Sequence, residues 1–229
     1  DGFQLSSLPE LGSSQSKMDL NAFVETIEEM NFSNSVLVDC TASQEVAQIY
    51  PRILAAKIAI VTPNKKANSG SLQSYLNLKQ LAKSRGVHFL YETNVAAGLP
   101  VINTIHDLML SGDRFHRIEA VLSGSLNFIF SELEKGAPFS EVVAQAKEKG
   151  YTEPDPRDDL SGMDVARKVV ILGREAEQSL EVEDVVVSSL VPENARQGVS
   201  VEKFMELLKA EDASYAQLLQ QAREKGEKL

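Results

Sequence analysis

The sequence predicts an α/β fold in its first half and an α+β fold in its second half. Three short apolar runs, at 36–40, 58–62 and 87–92, alternate with helical patterns in the first hundred residues. Such alternation with short connections is typical of right-handed βαβ units and a parallel sheet. From residue 115 the pattern partly alternates, as it does in a strand with one buried face. We therefore place one domain at 1–98 and a second at 99–229.

Four helices are predicted around the three strands, three within residues 1–98 and one directly after them. Helical periodicity appears at 19–30, 44–56, 72–85 and from 100 to about 111. In the first helix the apolar face consists of Leu20, Phe23, Val24 and Ile27. Because the strand runs are mainly apolar and do not alternate, we expect both faces of the sheet to be buried. Residues 1–17 are rich in Ser and are expected to form a connecting loop.

The second half is predicted to contain one strand and five helices. The strand spans 115–122, and helices are expected at 123–134, at 139–149, from 161 onwards and twice within 201–229. Ser161 is the predicted N-cap of the third helix, because Met163, Ala166, Val169 and Val170 follow it at helical spacing.

Composition and charge limit the classes of function. The chain has 229 residues, 43% of them hydrophobic, a net charge of −10 and a pI of about 4.9. This acidity argues against nucleic acid as a partner. We expect no membrane span, because no run of eighteen apolar residues occurs, and no signal peptide. Cys40 is the single cysteine, which excludes an intrachain disulfide and fits a reducing, cytoplasmic location.

Polar residues follow each of the three predicted strands. In a parallel sheet the carboxyl ends of the strands form the ligand-binding edge. The loops 39–43, 62–66 and 92–98 are therefore expected on one side of the molecule. Lys65 and Lys66 follow the second strand directly. A cation there can hold a phosphate, a carboxylate or a developing oxyanion, although paired loop lysines are more often plain surface residues.

Other residues with reactive side chains give weaker signals. Cys40 could act as a nucleophile, but we assign it a packing role, because cysteine is among the most buried residue types. His88, His106 and His116 lie far apart and form no metal-binding spacing. The acidic loop before residue 161 lacks the ligand spacing of a calcium loop.

The segment 150–168 concentrates charge more than any other part of the chain. It reads GYTEPDPRDDLSGMDVARK and contains five carboxylates and three cations. Pro154 and Pro156 exclude regular helix from its first half. Asp164 and Lys168 are four residues apart and share one face of the following helix. Such a pair is most often a solvated surface pair, so spacing alone does not establish a site.

Four sequence strings carry a resemblance to a known family. YTEPDPRDDLSGMDVARK, VTPNKKAN, YETNVAAGLPV and LSGSLNFIF are similar to stretches of homoserine dehydrogenases, especially those fused to aspartate kinases. The resemblance runs from about residue 36 to beyond 174. It implies NAD(P)H-dependent reduction of L-aspartate 4-semialdehyde to L-homoserine in threonine and methionine biosynthesis. It also implies that 1–98 is part of a nucleotide-binding domain and that 99–229 is a substrate-binding and dimerisation domain.

The resemblance also implies roles for individual residues. Lys168 would be the general acid and base at the carbonyl oxygen, and Lys65 would assist at the same oxygen. Proton transfer by lysine is plausible because burial or a neighbouring cation can lower its pKa. The other implied residues fall into three sets: Glu153, Asp164 and Asp159 for substrate; Thr41, Ala42, Ser43, Lys65 and Gly150 for cofactor; and Glu92, Val95, Ala97 and Leu99 for a monovalent cation such as sodium.

One departure from the family pattern bears on the fold. The family's nucleotide domain begins with a strand, a G-x-G-x-x-G turn and a helix, and no such motif occurs in this sequence. We therefore expect a truncated Rossmann-like sheet in part of a longer protein that forms a homodimer, with a fused aspartate kinase domain as a candidate partner. By itself the chain is expected to bind NAD(P)H weakly or not at all. The alternatives are a non-catalytic dimerisation or interaction module and, on Cys40 alone, a cysteine-dependent semialdehyde dehydrogenase.

Overall fold

The first half of the protein is built on a three-stranded parallel sheet. The structure, a computed structural model, describes residues 18–226. The strands are β1 (Val36–Val38), β2 (Ala59–Val61) and β3 (Phe89–Leu90), in the order β1-β2-β3. Val36 pairs with Ala59, and Ile60 pairs with Phe89. The predicted parallel α/β arrangement is confirmed, whereas the loop predicted for 1–17 lies outside the described residues.

The prediction that both faces of the sheet are buried is wrong for the described residues. Val36 and Val38 expose 54% and 63% of their surface, and Val61 and Leu90 are also exposed. The other face packs on a core that includes Val24, Tyr50, Ile53, Leu54, Leu78 and Ala82. Only this face is therefore covered by the helices that the structure describes.

Eleven α-helices lie within the described residues. They are α1 (Leu20–Met30), α2 (Gln44–Gln48), α3 (Tyr50–Ala55), α4 (Leu72–Arg85), α5 (Val101–Leu110), α6 (Gly124–Leu133), α7 (Phe139–Glu148), α8 (Arg157–Leu160), α9 (Met163–Glu175), α10 (Val201–Ala210) and α11 (Asp212–Glu224). Side chains that accept hydrogen bonds from first-turn amides cap several of them, among them Asp19, Ser43, Ser71, Ser123 and Ser200. Most predicted helices are found with small shifts of their ends.

Two predicted helix features differ from the structure. The helix expected at 44–56 is interrupted at Ile49, and Pro51 lies in the first turn of the second piece, where its missing N–H is tolerated. Ser161 is not the N-cap of α9. Gly162 takes that position in the left-handed conformation, with φ of 76°. Ser161 instead ends α8, a short helix within the acidic segment.

The strand predicted at 115–122 is absent from the described structure. This segment has no regular secondary structure and no strand partner among residues 18–226, and Ile118 and Val121 expose 41% and 77% of their surface. A strand needs a neighbour for its backbone groups, and no described segment offers one to residues 116–121. In residues 99–226 the described structure therefore has helices joined by irregular segments, and the mixed α/β class predicted for the chain is confirmed.

Helix α9 connects the two halves of the chain through two buried charges near its end. Arg174 donates hydrogen bonds to Leu180 O at 2.9 Å, to Asn68 O at 2.8 Å and to a carboxylate oxygen of Glu181 at 2.8 Å. Glu181 also accepts hydrogen bonds from Leu72 N, the first amide of α4. Through these bonds the end of α9 is held against the first half.

Glu175, the next residue of α9, makes a second set of contacts with the first half. Its carboxylate accepts hydrogen bonds from the hydroxyls of Tyr75 at 2.9 Å and Tyr91 at 2.5 Å. Lys79 Nζ lies 3.2 Å from it, and His106 is hydrogen-bonded to the same carboxylate. These partners belong to α4, α5 and the segment after β3, so a single buried group ties α9 to several elements.

Candidate active site

A cavity of about 790 Å³ opens where the ends of β1 and β2 face the acidic segment and α9. Residues from both halves of the chain line it: Cys40, Thr41, Ala42, Pro63, Asn64, Lys65, Lys66, Ser123, Glu153, Asp158, Asp159, Ser161, Met163, Asp164, Val165 and Arg167. The carboxyl ends of neighbouring parallel strands meet at one edge, which explains why the 39–43 and 62–66 loops lie together.

Lys65 and Lys168 approach the same carboxylate from the two halves of the chain. Lys65 Nζ lies 3.3 Å from Asp164 Oδ1, and Lys168 Nζ lies 2.8 Å from Asp164 Oδ2. Lys168 also donates a hydrogen bond to Leu122 O at 2.7 Å, and only 15% of its side chain is exposed. Burial raises the pKa of Asp164, but the two lysines outweigh this effect and hold its pKa below the usual value. The carboxylate is therefore ionised at neutral pH.

The acidic segment places three further carboxylates at the cavity, those of Glu153, Asp158 and Asp159. Asp159 accepts a hydrogen bond from Ser125 Oγ at 2.7 Å and another from Glu153 N at 2.8 Å, which ties the loop to the start of α6. Arg157 donates hydrogen bonds from Nε and Nη2 to the carboxylate of Asp155, with Nη2 2.6 Å from Oδ2. Arg157 Nη1 also donates to two carbonyl oxygens of the 195–199 segment. The segment is thus fixed on both sides, and Glu153 lines the cavity beside Asp159.

The residues predicted for the cofactor are only partly brought together. Thr41, Ala42 and Lys65 line the cavity. Ser43 instead caps α2 through its side chain, while its carbonyl oxygen accepts a hydrogen bond from Asn64 Nδ2 at 2.9 Å. Gly150 lies just beyond α7 with φ of 69° and is not among the lining residues. A threonine hydroxyl, a small alanine side chain and a lysine ammonium group suit an anionic or amide-bearing ligand, so these lining residues fit a nicotinamide cofactor.

The predicted monovalent-cation residues lie on one turn between β3 and α5. Ala96 and Ala97 both have positive φ, and both oxygens of Glu92 accept hydrogen bonds from first-turn amides of α5, Ile102 N at 2.7 Å and Asn103 N at 2.9 Å. A carboxylate at a helix N-terminus offsets the positive end of the helix dipole. Within 18–226 no group of three or more His, Cys, Asp or Glu side chains is arranged to hold a metal ion. The sodium site, which would use carbonyl oxygens, stays a prediction.

The packing role predicted for Cys40 is wrong. Cys40 is exposed and lines the cavity, whereas its neighbour Asp39 is 3% exposed. Successive residues of an extended segment point to opposite sides, so burial of Asp39 turns Cys40 outward. Sequence reasoning also missed Ser123, Asp158 and Arg167 as lining residues. The charge density of 150–168 was the available signal for Asp158 and Arg167.

The described part of the chain contains no helix that is both long and apolar enough to cross a membrane.

Each half of the chain matches the model of a known protein family. Residues 6–92 match the family model described as "Homoserine dehydrogenase, NAD binding domain". The first half therefore belongs to the class of NAD-binding α/β domains, in keeping with its parallel sheet. Residues 100–229 match the model "Homoserine dehydrogenase". The chain belongs to the homoserine dehydrogenase family.

Curated relatives share close to half of their aligned residues with this chain. The chain is 48% identical over 212 residues to the bifunctional aspartokinase/homoserine dehydrogenase 2, chloroplastic, of Zea mays, a match that covers 92% of this chain and 23% of the relative. It is 43% identical over 218 residues to the homoserine dehydrogenase of Schizosaccharomyces pombe, a match that covers 93% of this chain and 58% of the relative. The chain thus spans about a quarter of the bifunctional relative and somewhat over half of the monofunctional one.

Solved structures with similar folds include a protein of unknown function from Candida auris. It superposes with a TM-score of 0.83 at 36% identity and covers 91% of this chain and 60% of its own. A hyperthermophilic archaeal homoserine dehydrogenase in complex with NADPH superposes with a TM-score of 0.59 at 31% identity, with 67% and 46% covered. The predicted resemblance to the family is therefore confirmed.

Proposed function

We propose that this chain forms the reacting part of a homoserine dehydrogenase, which reduces L-aspartate 4-semialdehyde to L-homoserine with NADPH or NADH. The observation that carries the proposal is the convergence of Lys65 and Lys168 on Asp164, at 3.3 and 2.8 Å. Lys65, Asp164 and Glu153 line the cavity, and Lys168 lies behind Asp164 in contact with it. We place the boundary between the nucleotide-binding and catalytic domains at residue 98, between the two regions matched by the family models.

Reduction of an aldehyde needs a proton at the oxygen as well as a hydride at the carbon. The bound NAD(P)H supplies the hydride, and Thr41, Ala42, Ser43, Lys65 and Gly150 are the residues proposed to hold it. Lys168 Nζ gives the proton to the carbonyl oxygen and takes it back in the reverse reaction. Its contacts with Asp164 and Leu122 O fix the direction of the ammonium group.

Lys65 assists by stabilising negative charge on the same oxygen. Charge that develops there is best stabilised by groups already in place before the reaction, so that little reorganisation is needed. The ion pair with Asp164 holds Lys65 at the cavity. Asp164 has a second effect, because its negative charge offsets the repulsion between the two ammonium groups.

The carboxylates of the acidic segment suit the amino group of the substrate. Glu153 and Asp159 line the cavity together with residues of the strand-end loops. A carboxylate and an ammonium group form charge-assisted hydrogen bonds, which are among the strongest in proteins. We propose that these two residues and Asp164 orient the amino acid end or hydroxyl of the substrate, and that a sodium ion binds Glu92 and the carbonyl oxygens of Val95, Ala97 and Leu99.

The role of Lys168 can be tested by Lys168→Ala in the full-length protein. Loss of a general acid typically lowers kcat by ~10²–10⁴-fold. We expect a loss in that range with a much smaller change in KM for L-homoserine, measured in steady-state assays of NADPH formation or consumption. The matched control is Lys135→Ala on the exposed surface, where 68% of the lysine side chain is accessible. A Lys168→Ala enzyme with near-normal kcat would contradict the assignment.

We further propose that the protein assembles as a homodimer, and that like its bifunctional relatives it is linked to an aspartokinase. Support for the dimer comes from the unpaired segment 115–122, which borders a cavity of about 700 Å³ together with α9 and residues 176–180. A second copy could pair with this segment and cover Ile118 and Val121.

A cytoplasmic location is also proposed, because the exposed free thiol of Cys40 suits a reducing compartment.

A further inference from the structure

A buried polar network lies directly beneath the cavity, at the carboxyl ends of β1 and β2. Asp39, Thr62 and Asn64 expose 3%, 1% and 2% of their surface, and the hydroxyl of fully buried Tyr50 meets them from α3. Buried polar groups lower stability unless each finds a hydrogen-bond partner. Here the partners join two loops that both border the cavity.

Asp39 is the centre of this network. Its Oδ1 accepts a hydrogen bond from Thr41 N at 2.7 Å. Its Oδ2 accepts from the Tyr50 hydroxyl at 2.5 Å and from Asn64 Nδ2 at 3.0 Å. Burial opposes ionisation of Asp39, but these three donors outweigh it and keep its pKa below the ordinary value. The group is therefore a charged acceptor that holds donors from two loops and a helix.

Asn64 carries the link to the second loop. Its Nδ2 donates to Asp39 and also to Ser43 O at 2.9 Å, so it spans both ends of the 39–43 loop. Its side-chain Oδ1 accepts a hydrogen bond from Lys66 N at 3.1 Å, and its backbone N–H donates one to Thr62 Oγ1 at 2.9 Å. Lys65 stands between Asn64 and Lys66, both of which take part in these bonds. The backbone direction at Lys65 is thus set by the network.

A role in stability alone does not explain a carboxylate at this position. Removing an ionised carboxylate from water opposes folding, and apolar residues of similar volume in place of buried charges are often as stabilising or more so. The negative charge of Asp39 strengthens its hydrogen bonds with Thr41, Tyr50 and Asn64, and these bonds fix the positions of three separate segments.

We propose that Asp39 is a positioning residue, which acts through Asn64 to hold the two strand-end loops so that Lys65 stays beside Asp164. This inference rests on the function proposed above for Lys65. Asp39 lies below the cavity lining rather than in it, and it acts on the reaction only through the residues that it orients.

The first test is Asp39→Asn in the full-length protein. The amide keeps the shape of the side chain, but its NH₂ group meets donors where the carboxylate accepted them. A misplacement of about 1 Å can lower turnover by ~10²-fold, so we expect kcat to fall by about 10- to 100-fold. The matched control is Asp212→Asn, since Asp212 likewise accepts from a backbone amide and a hydroxyl, both of Ser140 at 2.7 Å, in the remote contact of α11 with α7. The control should lose a similar amount of thermal stability and keep its kcat.

The second test asks whether Asp39 acts through Lys65. Residues that act as a unit give effects that do not add, so Asp39→Asn should lower kcat by less than about twofold in a Lys65→Ala background. If Asp39→Asn does not fold, Asn64→Ala cuts the same link from the other side and should show the same dependence on Lys65. Full kcat in either folded variant, or losses that multiply with Lys65→Ala, would overturn the inference. A wild-type protein without homoserine dehydrogenase activity would instead overturn the proposed function.

Discussion

Glu175 shows how a single side chain can connect the reacting helix to the rest of the protein. Burial by itself would raise its pKa. The hydrogen bond with His106, the charge of Lys79 and the hydroxyl of Tyr91 have the larger effect and lower the pKa to about 2. Because α9 also carries Lys168, the ionised form of Glu175 helps to hold the proposed general acid in place.

The pH dependence of stability follows from this lowered pKa. A group whose pKa is depressed on folding stabilises the protein above its unfolded value, ~4.3 for a glutamate, and this stabilisation is lost as the pH falls towards 2. With Glu175→Gln the unfolding free energy should therefore fall less steeply between pH 5 and pH 3. The slope should decrease by up to roughly the amount that corresponds to one proton taken up on unfolding. Urea unfolding across this pH range measures the slope. Glu206→Gln on the exposed surface is the control and should leave the slope unchanged.

At the scale of elements, the start of α9 depends on a glycine. Gly162 has φ of 76°, and a Cβ atom added there would lie 2.8 Å from Val187 Cγ1. The residue therefore serves two needs, a left-handed backbone and a close contact with the extended segment around residue 187. An alanine would meet both difficulties.

We expect Gly162→Ala to lower the unfolding free energy by more than Gly86→Ala does. Gly86 ends α4 with φ of 67° but has no atom within 4 Å of an added Cβ, so its substitution measures the backbone term alone, about 1–2 kcal/mol. Overpacking at Gly162 should add about 1 kcal/mol. Thermal unfolding of both variants gives the difference. Adding Val187→Ala should remove the excess; equal losses at the two glycines would show that Val187 yields without strain.

The helices were predictable from the sequence because their signals are local. The pattern at 72–85 gives α4 with the same ends, and the helix expected at 123–134 is found as α6 at 124–133. The strand predicted at 115–122 was wrong, because an alternating sequence pattern is a property of the segment alone. A strand also needs a neighbouring strand to pair with, and the pattern does not show whether one is present. Spacing likewise placed Asp164 beside Lys168, but nothing local joins Asp39 to Asn64, and that contact depends on the packing of two strand ends.

At the scale of the whole molecule, the unpaired segment 115–122 gives the proposed dimer a test. Proline lacks the N–H group that pairing with a second copy needs, and it should disturb little in a segment that is already unpaired. Ala120→Pro should shift the full-length protein from dimer to monomer in light scattering, whereas Ala120→Ser, which keeps the N–H group, should not. A wild-type monomer, or a proline variant that stays dimeric, would show that this segment does not form the interface.

The outward position of Cys40 makes the cavity open to chemical labelling. It is the single cysteine among these 229 residues, its side chain is exposed, and it borders the same space as Lys65 and Asp164. A fluorophore attached to this thiol would lie at the edge of the cavity without replacing any lysine or carboxylate assigned to the reaction. Its emission could then follow the arrival and departure of a cofactor in real time, independently of turnover.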